Sequence, residues 1–496
     1  MSFNSLQYFL FLPIVFLIYY FVHQGARWSI LLVASIIFYA ALGTPYLLII
    51  LLIVTGSTYI FGIWLDSART LTIKRSLVWG GISFNVLILL FMKYIPFIFD
   101  NLRSLGAIFS MHVDLPHTKV LVAIGVSFYI FQAISYLFDI YLENIKPERH
   151  FGYFALYLAF FPKLLQGPIE RAEDLIPQLK ETYTFNYSNV RFGLVLFLWG
   201  LFKKVIIADR LGMFVNSVYN DVHSFHGIPI IIATYFYSFQ IYMDFSGYTD
   251  MAIGSARIFN INLSQNFNSP YLAISIADFW RRWHITFSKW ILDYIFKPLQ
   301  MQWRDGKNWG ISAALMITFL VSGLWHGATW GFVIWGGLHG IFLASSVFYK
   351  PIQKKLHKLI KLGNHNFLKP IQIIITFNLV TFAWIFFRAS SLDDAFYLIS
   401  NFLNFSKPTF IDLSVKEYVT KNIFLKQSSR EFVVALVCLG LIMLFSIFKH
   451  KDPKMSLSLF LDSSPRLIRW GFYYALFLSI LFFAVTGSGS FIYYQF

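Results

Sequence analysis

The chain has 496 residues, of which 57% are hydrophobic and only 13% are charged, and its mean hydropathy is +0.62. This composition excludes an ordinary water-soluble domain and indicates a polytopic membrane protein. The net charge is +16, but Lys and Arg cluster in loops between apolar runs. That distribution is typical of membrane proteins and differs from the basic stripe that tracks nucleic acid, so nucleic acid is not expected as a partner.

Apolar runs of roughly 20 residues recur along the chain and predict membrane helices, because a helix satisfies its own backbone hydrogen bonds in lipid. The strand-like alternation of a transmembrane barrel is absent. We therefore expect an all-α polytopic protein with about ten to twelve transmembrane or re-entrant helices, forming a single integral-membrane domain over residues 1–496. The first run, Phe9–Val22, has no basic segment before it and is predicted to be a retained span.

The middle third of the chain is harder to assign to full spans. Phe151–Leu165 is short for a span and is followed by Gln166-Gly167-Pro168. Charged residues interrupt the next apolar run, Phe192–Val215; they are Lys203, Lys204, Asp209 and Arg210. These pieces are predicted to be re-entrant or surface helices. The polar break Phe161–Arg171 is consistent with a simple turn between helices.

The segment Tyr242–Asp250, at the end of an apolar run, contains the acidic residues Asp244 and Asp250. The segment Asn266–Tyr271, which follows soon after, contains side-chain amides. A carboxylate such as Asp244 inside a membrane is normally paired or lines a pore. Two interpretations stay open at this point: an ion pair with an arginine such as Arg281, or a catalytic role.

The segment Asp278–Leu299 combines charge with aromatic residues at helical spacing. The aromatic positions are Phe279, Trp283, Phe287, Trp290 and Tyr294. This pattern predicts an amphipathic helix lying flat at the membrane interface. It has two interpretations: an aromatic belt with snorkelling arginines, or a cytoplasmic anion site in which Arg281 and Arg282 hold phosphates while His284 points into the protein.

A second histidine, His326, lies inside the apolar run Ile311–Tyr349, flanked by Gly323 and Gly327. A charged side chain at that depth is costly, so His326 is expected to be neutral and available as a base. The alternative is a histidine hydrogen-bonded in a helix contact. The glycines permit close backbone approach and a helix break. His339, thirteen residues further on, is more consistent with packing than with a supporting role.

Loop charges predict an orientation. Lys350–Lys369 is rich in lysine and has no acidic residue, so it is expected in the cytoplasm. Counting the apolar runs from there places Arg281–Lys307, with His284, on the cytoplasmic side and the C-terminus outside.

No metal is expected. The only cysteine, Cys438, excludes an intrachain disulfide and a cysteine-based metal site, and the histidines lack the spacing of zinc ligands. The sequence also has no Gly-x-Ser-x-Gly and no phosphate-binding glycine loop followed by Lys-Ser/Thr. Without these motifs, the mechanism that we expect is general base catalysis that uses no serine or cysteine nucleophile in the core.

The C-terminal segment joins a Gly/Ser tether at residues 487–490 to an aromatic tail, Phe491–Phe496. A flexible tether lets the end move, and the aromatic residues let it dock in an apolar mouth. The tail is either an interfacial anchor or a mobile element in which Tyr493 or Tyr494 accepts an acyl group.

Several segments, in order, resemble the membrane-bound O-acyltransferases, and within them the bacterial branch of the alginate O-acetylation and teichoic-acid D-alanylation proteins. They are Phe161–Arg171, Tyr242–Gly254, Asn266–Tyr271, Asp278–Leu299, Trp325-His326-Gly327 and Phe491–Phe496. The resemblance covers essentially the whole chain. It implies a ring of helices around a central tunnel, with His326 as the active-site histidine and His284 as a second histidine on the cytoplasmic side.

The same resemblance implies an acetyltransferase of the bacterial inner membrane that takes acetyl groups from acetyl-coenzyme A and modifies an alginate-like polysaccharide. Arg281, Arg282, Trp283 and Asn266 are expected to bind the donor, and Tyr493 to relay the acyl group. The expected partners are membrane lipid and an extracytoplasmic polysaccharide O-acetyltransferase with a serine nucleophile.

Alternatives within the family are D-alanyl transfer from a carrier protein to teichoic acid, and peptidoglycan O-acetylation. From other classes, a secondary transporter of small organic anions and a structural scaffold for polysaccharide export remain.

Overall fold

The computed structural model describes residues 1–116, 123–359, 368–405, 415–451, 457–485 and 491–492. These residues form helices and turns, with no β-strand among them. The expectation of an all-α protein is confirmed. The chain forms two compact units: residues 1–197 with 248–265, and residues 198–247 with 266–496. The single domain, the ring and the tunnel stay predictions.

Within the described ranges, seven helices are long and apolar enough to cross a membrane: Pro45–Ser67, Leu71–Ile108, Arg304–His326, Trp330–Gln353, Lys369–Arg388, Ser429–His450 and Arg466–Phe483. Three shorter apolar helices join them: Leu6–Phe21, Gln24–Ala40 and Val126–Tyr141. In Ser429–His450 only 22% of the apolar window is buried inside the protein, which suits a helix whose side chains face lipid. The chain is a multi-pass membrane protein.

The first unit contains the helices Leu6–Phe21, Arg27–Ala40, Pro45–Ser67, Leu71–Leu89, Ile95–Ile108, Val126–Tyr141, Phe151–Ala159 and Ala172–Lys180. Val126–Tyr141 is almost entirely buried and packs against Pro45–Ser67 and Leu71–Leu89. A Cβ atom at Gly81 would lie 2.7 Å from the Leu137 side chain, so glycine at this position lets the two helices approach closely.

The polar break of this unit is a buried turn between Phe151–Ala159 and Ala172–Lys180. The Lys163 ammonium group donates to the Gln132 amide oxygen. The Glu170 carboxylate accepts hydrogen bonds from the Ser264 backbone N–H at 2.6 Å and from its hydroxyl at 3.0 Å. The interpretation of this segment as a turn between helices is confirmed.

Two helices, Tyr187–Phe202 and Ile228–Arg257, contribute residues to both units. The charged residues after Phe202 do not end the first of them. The chain continues through a π-helical segment, Lys203–Ala208, directly into Asp209–Tyr219. Pairing of the charges, described below, lets this stretch remain helical although it is buried.

The second unit contains the helices Asp209–Tyr219, Ile276–Trp280, Ile285–Ile291, Lys297–Gln302, Lys307–His326, Trp330–Leu359, Lys369–Arg388, Leu392–Asn401, Val415–Asn422, Ser429–Lys451, Leu457–Ser463 and Arg466–Phe483. A π-helical segment, Leu292–Phe296, joins the third of these to the fourth, within the segment that the sequence predicted as one helix.

The prediction of one continuous helix over Asp278–Leu299 is wrong. A first helix ends at Trp280, the chain turns, and a second helix begins at Ile285. The turn depends on His284, whose φ of 42° and ψ of 55° lie in the left-handed region that L-residues seldom adopt. Most of the aromatic side chains face the protein interior instead of the membrane interface; Phe279, Trp283, Phe287 and Trp290 are buried.

Candidate active site

A tight helix pair positions His326. Helices Lys307–His326 and Trp330–Leu359 run antiparallel, and a Cβ atom at Gly323 would lie only 3.2 Å from the Cα atom of Gly336. The sequence-based expectation of close backbone approach at Gly323 is therefore confirmed. His326 is the last residue of its helix, so its side chain occupies the point where the pair opens into the connecting turn.

Aromatic rings surround the His326 imidazole, which is 4% exposed. Ring centroids lie 4.5 Å away for Trp325, 4.9 Å for Trp335 and 5.2 Å for Phe387. Such a wall excludes water and lowers the local dielectric, which strengthens any polar interaction formed inside it. The site can therefore support proton transfer to an imidazole that is held in a fixed orientation.

Asn266 fixes the turn that carries His284. Its backbone carbonyl accepts the Ile285 N–H at 3.0 Å. Its side-chain oxygen accepts both the N–H of Thr286 at 3.1 Å and the Thr286 hydroxyl at 2.7 Å. These bonds hold the left-handed backbone of His284 in place. Strained backbone of this kind is concentrated at functional sites.

His284 is 1% exposed, and burial lowers its pKa to about 3, because removing water disfavours the charged form. Its ring centroid lies 4.8 Å from that of Phe245. The imidazole is thus neutral at physiological pH.

Two rings, Phe287 and Trp325, join the histidines into one site. They stack on each other with centroids 4.4 Å apart. Phe287 lies 5.0 Å from the His284 ring and 5.9 Å from the His326 ring. Trp325 lies 6.1 Å from His284. The structure brings together the two histidines that the sequence singled out, with an aromatic pair in contact with both.

His339 has a separate environment. Its Nδ1 atom accepts a hydrogen bond from the indole N–H of Trp280 at 3.2 Å, and its ring packs 5.1 Å from Trp335. This contact orients Trp280 and agrees with the packing role that the sequence favoured.

A groove of about 610 Å³ opens beside this site. Its walls are mainly apolar and include Trp280, Ile285 and Phe319. Three lining residues are charged and all three are basic: Arg281, Lys289 and Lys350. A long ligand with an apolar body and an anionic end is the chemical class that matches this lining.

The four residues expected to bind a donor occupy different places. Arg281 lines the groove. Arg282 instead pairs with Asp278 at 3.0 Å and lies 3.2 Å from the His450 ring nitrogen. Trp283 is buried, stacked 5.5 Å from Phe279. Asn266, as shown above, supports the His284 turn, so the structure does not bring these four side chains together around one ligand position.

Sequence reasoning missed the partner of Asp244. The carboxylate pairs with Lys204 at 2.6 Å, so the suggested pair with Arg281 is wrong. The next residue, Phe245, contacts His284, and the backbone N–H of Ile492 donates to Asp244. Tyr493, Tyr494 and the tether at 487–490 lie outside the described residues. The lysine was visible in the sequence, but its spacing from Asp244 gave no sign of pairing.

In the described part of the chain, no group of three or more His, Cys, Asp or Glu side chains is arranged to hold a metal ion.

Comparison with known proteins gives a consistent pattern. Residues 143–392 match the membrane-bound O-acyltransferase family. The chain is 35% identical to the peptidoglycan O-acetyltransferase of Helicobacter pylori, over 82% of this chain and 80% of that protein. It is 33% identical to the probable alginate O-acetylase of Azotobacter vinelandii, over 82% and 78%. It is 26% identical to the teichoic acid D-alanyltransferase of Bacillus subtilis, over 55% and 70%.

Proposed function

The chain belongs to the membrane-bound O-acyltransferase family and is an O-acyltransferase, and from that premise we propose that it carries acetyl groups from cytoplasmic acetyl-coenzyme A to a cell-surface or secreted polysaccharide. The observation that carries the proposal is the buried His326, held by a glycine-packed helix pair inside a wall of rings. As an enzyme, the protein is neither the transporter nor the scaffold considered from the sequence.

In the proposed reaction, His326 acts as the general base. It removes the proton of an acceptor hydroxyl while the oxygen attacks the carbonyl carbon of the thioester. A C–O ester bond forms, the C–S bond breaks, and the departing sulfur takes up the proton from the imidazolium. Positioned acid–base help of this kind is typically worth roughly 10²–10⁴-fold in rate.

The basic groove is the proposed donor site. Arg281, Lys289 and Lys350 hold the phosphates of the donor through charge-assisted hydrogen bonds, and the apolar walls hold its extended arm. Trp280 connects this groove to the base, because its ring lies 5.8 Å from Trp335, which in turn contacts His326. Arg282, Trp283 and Asn266 shape the turn and the helix that carry these residues.

The proposed acceptor is the hydroxyl of Tyr493, which follows Ile492 directly in the chain. The acyl group then passes to an extracytoplasmic polysaccharide O-acetyltransferase with a serine nucleophile. In this arrangement the protein lies in the bacterial cytoplasmic membrane, with its C-terminus on the outer side and the loop near Lys350 inside.

The comparisons support acetyl over D-alanyl transfer, because the relatives that match most of the chain are named as acetylating enzymes and the D-alanyltransferase matches a shorter part. They do not discriminate between an alginate-like polysaccharide and peptidoglycan. We propose the alginate-like acceptor because of the resemblance of the tail. Acetylation of peptidoglycan and not of an alginate-like polysaccharide would reject this acceptor in favour of peptidoglycan.

Incubation of the purified protein with radiolabelled acetyl-coenzyme A tests the reaction. Wild type is expected to retain label, His326→Ala and Tyr493→Phe to retain none, and Tyr494→Phe, the matched control, to behave as wild type. Release of coenzyme A that depends on His326 without labelling of the chain would move the acceptor to the partner protein. Neither label nor release, with an active partner present, would reject acetyl-coenzyme A as the donor.

A further inference from the structure

A buried ionic cluster in the second unit is not used by the proposed chemistry. The Lys204 ammonium group lies 2.6 Å from Asp244 and 2.9 Å from Asp209, and all three side chains are under one-tenth exposed. Two carboxylates face one ammonium group, so their oxygens need hydrogen-bond donors in addition to Lys204. Buried carboxylate oxygens are costly unless donors satisfy them.

The C-terminal segment supplies such a donor. The backbone N–H of Ile492 donates to the Asp244 Oδ2 atom at 2.9 Å, while Lys204 occupies Oδ1. The Phe491 ring lies 4.4 Å from the Lys204 nitrogen, which is the geometry of a cation–π contact. Phe491 and Ile492 are both buried, so these two residues are part of the protein interior.

The chain is also held just before the tether. The Val485 N–H donates to the Val205 carbonyl at 3.0 Å, and the Arg210 guanidinium donates to the Phe483 carbonyl at 2.8 Å. Arg210 itself pairs with Glu431 at 2.6 Å. The π-helical stretch and the helix that follows it therefore hold the residues just before the tether.

We infer that Lys204 and Asp244 form a specific seat for the C-terminal segment, in which Asp244 recognises the backbone of residue 492 and Lys204 recognises the aromatic ring of residue 491. The two carboxylate oxygens of Asp244 bind different partners. Lys204 orients the carboxylate through one oxygen, so that the other is directed to the incoming N–H. Without the segment, that second oxygen would lose its donor inside the protein, which makes the seated state the favoured one.

The seat lies beside the candidate active site, because Asp244 is followed immediately by Phe245, whose ring contacts His284. Seating residue 492 therefore anchors the residue that directly precedes Tyr493 in the chain. The consequence for acyl transfer rests on the proposed function, whereas the seat itself does not, and the experiment below requires no turnover.

Thiol labelling measures whether the segment is seated. In a Cys438→Ser background, Ile492→Cys places a single thiol in the seat and keeps the backbone N–H that Asp244 accepts. A maleimide reagent should modify this thiol slowly. In Asp244→Asn the amide oxygen can still accept from Lys204, but the NH₂ group, which can only donate, then faces the N–H of residue 492. Labelling should then rise about tenfold, the population change that ~1.4 kcal/mol produces.

Asp209→Asn is the matched control, because it removes a carboxylate of the same cluster and leaves Asp244, the acceptor of the residue 492 N–H, in place. It should leave labelling close to the parent rate. Phe491→Ala, which leaves the cluster intact, should also raise labelling, and it decides the question if Asp244→Asn fails to fold by gel filtration. Equal effects of Asp209→Asn and Asp244→Asn would overturn the seat, as would protection that persists in Phe491→Ala.

Discussion

The surroundings of His326 and of Asp244 bury polar groups in opposite ways. His326 and His284 are enclosed by aromatic rings, whereas Asp244 is enclosed by an ammonium group, a second carboxylate and a backbone N–H. The first environment suits a group that must gain and lose a proton, because the surrounding rings carry no charge. The second suits a group that must stay charged in order to bind.

We therefore assign the reaction to the aromatic surroundings of His326, and the positioning of the C-terminal segment to the ionic cluster around Asp244. A change at the rings should alter the rate of transfer and leave the C-terminal segment in its seat. A change at Lys204 or Asp244 should release the segment and destabilise the fold, because it leaves charges without partners. Variants at the rings should therefore change the rate of acyl transfer, whereas variants at Lys204 or Asp244 should change the thiol labelling of the C-terminal segment.

Removing the base should have the largest effect. His326→Ala is expected to lower the rate of acyl transfer by roughly 10²–10⁴-fold, the usual contribution of a positioned base. His339→Ala, which removes a buried histidine that bonds Trp280, is the control and should lose much less activity than His326→Ala. The rate of coenzyme A release measures both, and similar losses in the two variants would indicate a general packing effect.

Breaking the ionic cluster should have the next largest effect. Lys204→Met leaves two carboxylates buried without their ammonium partner and should lower the free energy of unfolding by about 3–5 kcal/mol. Lys297→Met removes an exposed ion pair with Asp293 and should cost under about 1 kcal/mol. Denaturant titration in detergent, followed through the reactivity of buried Cys438, gives both values. A small loss in Lys204→Met would show that the cluster is dispensable.

A smaller effect is expected at the groove. Arg281→Ala should raise KM for acetyl-coenzyme A by about tenfold, since a hydrogen bond to a charged group contributes about 1.5 kcal/mol or more. Arg282→Ala should leave KM near the wild-type value, because Arg282 pairs with Asp278. Initial-rate kinetics separate KM from kcat. Equal KM changes in both variants would exclude the groove as the specific donor site.

The last effect develops only in acid. Burial lowers the pKa of His284 to about 3 from an ordinary value of 6.5, so below pH 6.5 the unfolded chain binds a proton there that the folded chain does not. The contribution of His284 to stability is complete above pH 6.5 and is lost as the pH falls toward 3, by at most ~1.4 kcal/mol per pH unit. His284→Gln should therefore show a shallower loss of stability in acid. An unchanged slope would contradict a neutral, buried His284.

The sequence predicted the parts of the fold that depend on local composition. The apolar runs Pro370–Phe387, Phe432–Phe448 and Gly471–Val485 lie close to the observed helices Lys369–Arg388, Ser429–Lys451 and Arg466–Phe483, because hydropathy alone decides whether a helix suits lipid. The glycine contact at Gly323 was also predictable, since an apolar helix with glycine beside a histidine indicates close packing.

The sequence could not predict features that depend on contacts between distant segments. The turn at His284 is held by Asn266, eighteen residues earlier, and helical periodicity across Asp278–Leu299 concealed it. Likewise, Lys204 pairs with Asp244 forty residues away, so its charge looked like an interruption of a helix and not like half of an ion pair. In both cases a tertiary hydrogen bond decided the local structure.

Chemical rescue of His326→Ala by imidazole tests the central claim most directly. If His326 is the general base, the slow rate of coenzyme A release by this variant should rise with imidazole concentration and recover part of the wild-type rate, because the small base fits the space that the side chain left. Release at the wild-type rate without imidazole would contradict the account. So would a variant that binds donor normally but whose rate does not change with imidazole.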